Sequence, residues 1–335
     1  MTRYSTYRFL LFLCIFIFIL SLSGCNTNEE MLVSNISSTL PTHRPSATVT
    51  PVPTTVPTTG EDITPIKNDP RTLYVRGHNL SLGESSDSVI KKLGSPGRIV
   101  PTEYNFDFYI YNNDYSRLLF IAIDNKRIVG FYSDSIDFNY NGVCSGSTIE
   151  TVNKVLNSSF TVEAVLSKDK EDYTLHILMD TIRTHKVTGI YILPNNGEEP
   201  QYTDEVINNI EYLVYDLTNS IRVRNKEDIL SWSSSAALSS KKHSTDMADN
   251  NYFSHKDLAD RTPGDRMKSE GIYYTSCGEN IIAGYGGAII STHGWFNSMK
   301  HRILLLHSNF RYLGVGFVYQ EDSTYKTYIT QNFYH

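Results

Sequence analysis

A chain of 335 residues is about two domains' worth. With 40% apolar and 20% charged residues it has an ordinary globular composition, which argues against a disordered, collagen-like or multi-span membrane protein. Its 36 acids against 30 bases leave a net charge of −6, and without Arg3 and Arg8 in the first 24 residues the remainder is more acidic still, so nucleic acid is not an expected partner.

Residues 1–24 have the form of an export signal. Arg3 and Arg8 precede an unbroken apolar run, Phe9 to Leu20, too short at about 1.5 Å per residue to cross about 30 Å of hydrocarbon. The run ends in Leu22-Ser23-Gly24-Cys25, which resembles a bacterial lipobox. The expectation is therefore a lipidated Cys25 that anchors the protein on the extracytoplasmic face of the cell membrane, the alternative being a secreted form. Residues 25–71 follow as a tether, because Pro41 to Gly60 is dominated by threonine and proline and cannot bury enough apolar surface to order itself.

Residues 72–195 read as an accessory domain of two helix-plus-strands repeats. Ser86 and Asp87 open a short helix that stops at Gly94, followed by strand-like runs at 106–111, 118–124 and 127–133. Gly146-Ser147-Thr148 opens a second helix, followed by runs at 160–166, 173–179 and 187–193. Tyr109, Tyr111 and Tyr115 are expected on one packed sheet face. The stretches Leu82–Ile99 and Phe108–Ser133 resemble the CAP-associated N-terminal domain, a module that carries no chemistry of its own.

Pro194 to Pro200 separate this region from the last domain, residues 203–335, so two independently folding units are expected. There, apolar residues from Val206 to Ile221 lie on one helical stripe behind Thr203. Further helices are predicted from Ser233 to Asp249, from Pro263 to Gly271 and from Gly287 to Met299, with closing strands at 313–319 and 326–334. The fold class is α+β, with a C-terminal three-layer α-β-α sandwich preceded by the duplicated α+β accessory domain.

No H-E-x-x-H, G-x-S-x-G or phosphate-binding glycine loop occurs. Instead His243–His255, Gly278-Glu279-Asn280-Ile281, Trp295–Ser298, His301-Arg302, Leu313–Phe317 and Ile329–Phe333 resemble, in order and spacing, the CAP superfamily of cysteine-rich secretory proteins, antigen 5 and pathogenesis-related proteins, in its bacterial branch. That resemblance implies a cleft where two histidines and two glutamates can hold a divalent metal. Carried over, it places His255, His301 and Glu279 as metal ligands, zinc being the ion that suits them. The fourth position falls at Ser298, where eukaryotic members carry glutamate. Asn280 lies beside the cleft, and His243 either orients the site from behind or belongs to a helix surface. Cys144 and Cys277 either bridge the two domains or remain separate thiols.

Two functions follow. The preferred one is a non-catalytic module, metal-dependent or not, whose cleft takes a small lipid, glycan or peptide ligand. The alternative is a zinc-assisted hydrolase of peptides or cell wall, with Glu279 as metal ligand or general base.

Overall fold

The computed structural model describes residues 69–195 and 199–335. The signal segment, Cys25 and the tether up to residue 68 lie outside the described residues. Residues 69–71, read as the end of the tether, belong to the folded part: the backbone carbonyl of Pro70 accepts from the Tyr140 and Tyr173 hydroxyls at 2.9 and 2.6 Å.

Each half of the accessory domain opens with a hairpin. β1 (Thr72–Val75) and β2 (His78–Ser81) turn at Arg76-Gly77, and β7 (Asn139–Tyr140) and β8 (Val143–Cys144) turn at Asn141-Gly142, all four turn residues at positive φ as tight hairpins require. A helix follows each hairpin, α1 (Ser86–Leu93) capped by the Ser85 side chain and α2 (Ile149–Leu156) capped by Thr148. The strands β3 (Arg98–Pro101), β4 (Asp107–Tyr111), β5 (Leu119–Asp124) and β6 (Arg127–Ser133) complete the first half. β9 (Val165–Asp169), β10 (Tyr173–Met179) and β11 (Val187–Pro194) complete the second. They form one antiparallel sheet in the order β3-β4-β5-β6-β11-β10-β9, while the hairpins form another, β2-β1-β7-β8. Like strands meet like strands, β6 with β11 and β1 with β7, as a two-fold relation between the halves demands. The strand predicted at 160–166 lies further on, because the Asn153 side chain holds the Phe160 backbone in a turn through bonds of 2.8 and 2.9 Å.

Both faces of the large sheet are buried, and alternate residues divide between them. Tyr109, Tyr111, Ile121 and Phe131 pack under α1, α2 and the hairpins, whereas Phe108, Ile110, Phe120 and Tyr132 face the last domain. Tyr115 therefore does not share a face with Tyr109 and Tyr111; its hydroxyl reaches across to Asp216 at 2.9 Å.

The last domain is a three-layer sandwich. Its sheet, ordered β12-β14-β15-β13, comprises β12 (Ser231–Trp232), β13 (Cys277–Ala283), β14 (Tyr312–Tyr319) and β15 (Thr327–Tyr334). α4 (Ser234–Asp249) and α5 (Pro263–Ser269) cover one face; α3 (Asp204–Arg224), α6 (Ala288–Phe296) and α7 (Met299–Leu305) cover the other. Gly314 and Gly316 explain how closely α4 lies on the sheet: a Cβ at either would collide with α4 backbone, at Ala237 and Lys241 respectively. Ser240 and Ser244 of α4 donate to the carbonyls of those two glycines at 3.1 and 2.9 Å. The helix predicted from Gly287 to Met299 is instead interrupted at Asn297-Ser298, so α6 and α7 are separate.

The seam between the domains is a break in the chain but not in the core. Phe108, Phe120, Tyr132 and Tyr191 of the accessory sheet share one hydrophobic cluster with Leu213, Leu217, Trp295 and Phe317. Buried ion pairs cross the same boundary. Asp216 takes Arg98 and Asn112, Asp134 lies 2.9 Å from Arg224, and Asp180 takes Arg302 at 2.7 Å. The expectation of two independently folding units therefore does not describe this packing. Glu103, buried at the same joint, lies where a Cβ on Gly287 would be, at the start of α6, and its backbone carbonyl accepts from Gln201 at 2.7 Å. No disulfide joins Cys144, half-buried on β8, to Cys277, buried on β13.

Candidate functional site

The edge strand β13 organises the site, because successive residues of a strand point to opposite faces. Glu279 points toward α5 and Asn280 toward α7, so Gly-Glu-Asn delivers one polar group to each side of the sheet edge.

On the α5 side, Glu279 is almost fully buried. Its Oε2 accepts from Arg266 Nη2 at 2.6 Å and its Oε1 from His255 Nδ1 at 3.0 Å. Burial by itself would push this carboxyl up; the His255 hydrogen bond and the charge of Arg266 outweigh it and hold Glu279 below the usual carboxylate range. An ionised carboxylate only accepts, so His255 Nδ1 carries a hydrogen toward Glu279 and Nε2 faces away from it. Arg266 is held in turn by the carbonyls of His255 and Arg261, each at 2.9 Å. His243 is wholly buried behind this group. Its Nε2 donates to the Ser254 carbonyl at 2.9 Å and lies 3.8 Å from Glu279, which identifies it as a packing partner of the site rather than part of a helix surface.

On the α7 side, His301 Nδ1 and Ser298 Oγ are 2.8 Å apart. Ser298 stands at the N-terminal cap of α7 yet makes no capping bond, its hydroxyl being engaged by the imidazole. Burial first, then the nearby charges of His255 and Lys300, push the His301 pKa down to about 4, so the ring is neutral at physiological pH. Asn280 Nδ2 donates to the His301 carbonyl and to Gln331 Oε1, both at 3.3 Å. The predicted residues thus come together, with His255 and His301 near enough that a charge on the first opposes protonation of the second.

They do not form the expected metal set. Glu279 has Arg266 on one oxygen and His255 on the other, and a guanidinium at 2.6 Å is a poor neighbour for a divalent cation. Among the described residues no three His, Cys, Asp or Glu side chains are arranged to hold a metal ion. No sequence pattern marks Arg266; a buried glutamate on a strand requires a partner, but only the fold shows which of 30 basic residues supplies it. His293 is fully buried between the domains with its Nε2 3.3 Å from the Tyr132 hydroxyl.

Comparison with known proteins follows the same division of the chain. Residues 82–193 match the CAP-associated N-terminal family, and residues 215–333 match the cysteine-rich secretory protein family. Among relatives, the Bacillus subtilis (strain 168) protein named "Uncharacterized membrane protein YlbC" is 28% identical over 292 residues, covering 75% of this chain and 82% of that one. "Uncharacterized protein YkwD" of the same organism is 38% identical over 108 residues, 32% of this chain and 42% of that one. Among solved structures, an extracellular protein containing an SCP domain from Bacillus anthracis str. Ames superposes with a TM-score of 0.65 at 26% identity, covering 76% of this chain and 93% of that one. A cysteine-rich secretory protein from Staphylococcus aureus gives 0.58 at 16% identity over the same shares, a likeness of fold alone.

Proposed function

This chain is a bacterial CAP-domain protein with a CAP-associated N-terminal domain ahead of the CAP domain, and we propose that it is a non-catalytic binding module of the cell envelope or extracellular space. Its ligand is a small lipid, glycan or peptide group held at the β13 edge between His255 and His301. The observation that carries this reading is the double engagement of Glu279 by Arg266 and His255. A general base needs access to water and a pKa near the working pH, whereas this carboxylate is buried, bonded on both oxygens and held low. What the site offers a ligand is the partly exposed His255 ring, oriented by Glu279, and a neutral imidazole at His301, a recognition pair rather than a water-activating one. The extracytoplasmic placement is supported by the export signal, by the lipobox-like Cys25, and by relatives named as a membrane protein and an extracellular protein. The same Cys25 supplies a membrane anchor.

Co-sedimentation of the purified chain with cell-wall sacculi and with phosphatidylglycerol vesicles, beside hydrolysis assays on casein and sacculi, tests the proposal. The expected result is binding to one of the two surfaces that His301→Gln weakens about 10-fold, the loss of about 1.4 kcal/mol of contact, with no turnover. Hydrolysis that disappears in His301→Gln would instead establish the hydrolase.

A further inference from the structure

The helix break that carries Ser298 and His301 is gripped from the other domain. Asn297, the last residue before Ser298, uses its whole carboxamide there. Its Oδ1 accepts from the Thr181 backbone N–H at 2.7 Å and from the Thr181 hydroxyl at 2.9 Å, while its Nδ2 donates to the Met179 carbonyl at 3.0 Å and back to the His293 carbonyl at 3.1 Å. Arg302, the residue after His301, donates two bonds to Asp180, Nη1 to Oδ1 at 2.7 Å and Nη2 to Oδ2 at 3.0 Å. The guanidinium also stacks on the Phe296 ring at 3.8 Å. Asp180 is a rigid anchor: its carboxylate accepts the backbone N–H groups of Ile182, Arg183 and Thr184 at 3.0–3.2 Å. Both partners of the pair are nearly inaccessible, with side chains 7% and 2% exposed.

We propose that Met179, Asp180 and Thr181 at the end of β10 are positioning residues for the binding cleft, fixing His301 through Asn297 and Arg302 on either side of it. The proposal rests on the reading of His301 as a ligand-facing group. A surface ion pair would orient its neighbours weakly. Here a planar, bidentate, buried pair and a saturated carboxamide hold residues 297 and 302, which leaves the four residues between them little freedom. Ser298 and His301 lie inside that span, so the hydroxyl–Nδ1 bond that orients the ring inherits its geometry from the accessory domain. The CAP-associated domain thereby acts as part of the site, although none of its residues lies in the cleft.

The test reads the ring itself. Long-range proton–nitrogen NMR spectra of the histidine-labelled protein would be recorded for the parent, Asp180→Asn and Asn297→Ala, with His301→Gln assigning the signals. In the parent, the Nδ1 resonance of His301 reports its bond to Ser298. In both variants that resonance is expected to shift and broaden as the bond loosens, while the His255 signals, governed by Glu279, stay in place. A merely structural role would lower the melting temperature and leave the folded-state ring signals of His301 in place, and that result overturns the proposal. So does a change shared equally by His255 and His301, which would report general loosening. If Asp180→Asn fails to fold, Asn297→Ala, which removes only neutral bonds, decides the matter. Because no ligand enters the measurement, a cleft that binds nothing refutes the binding function and leaves this result standing.

Discussion

Glu103 is a carboxyl buried at the joint between the domains, and replacing it with glutamine should stabilise the protein at neutral pH but not in acid. Burial raises its pKa from 4.5 to about 6. The folded state therefore holds the proton more tightly than the unfolded chain does. Below about pH 4.5 the group is protonated in both states and costs nothing, and as pH rises through 6 the folded state must carry a buried charge. The difference in pKa corresponds to about 2 kcal/mol of lost stability. The N-terminal end of α6 lies beside this carboxyl, and its partial positive charge offsets about 0.3–1 kcal/mol, leaving about 1–2 kcal/mol. Glu103→Gln preserves shape and cannot ionise. Urea unfolding of parent and variant at about pH 4 and about pH 7.5 should show the variant gaining about 1–2 kcal/mol over the parent between the two conditions. An advantage of equal size at both pH values, or one that shrinks toward neutrality, would refute the reasoning.

Glu279→Ala should lower stability by about 3–5 kcal/mol in denaturant titrations, since it leaves the buried Arg266 guanidinium without its partner, and a variant close to the parent would mean that the carboxylate is not structural. Because the Glu279 pKa is held below its ordinary 4.5, the stability it contributes should be present above that pH and fade as pH falls below it. A fragment covering residues 199–335 should unfold over a broad, shallow urea range and bind a hydrophobic dye, because the faces of α3 and α6 that meet Phe120 and Tyr132 become exposed; a sharp transition in the fragment would show that its core closes without the sheet. Cys25→Ser should block processing or release the protein to the medium, and a processed variant that still fractionates with membranes would rule out the lipid anchor.

Much of the architecture was legible because local physics writes itself into residue order. The stripe from Val206 to Ile221 predicts a helix, and Thr203 and Thr148 stand where helices need caps. Leu313 to Phe317 read as part of a strand, and only the structure shows that the α4 backbone fills the space over Gly314 and Gly316. The run Leu118–Asp124 reads as a strand, and in the structure it is buried on both faces. It could not say what covers the second face, since burial by a helix of the same domain and burial by another domain call for the same side chains. The site divides in the same way. The resemblance to the CAP superfamily brought His255, Glu279, Asn280, Ser298 and His301 into one neighbourhood, but metal ligation and structural ion pairing use the same glutamate. The choice rests on a guanidinium placed by α5, far from Glu279 in neither sequence nor space yet unmarked by any pattern. The grip of Asp180 on Arg302 joins residues 122 positions apart. No periodicity records a contact of that range; it exists because two continuous apolar surfaces had to be buried against each other, and the charges along their margin were then forced to pair.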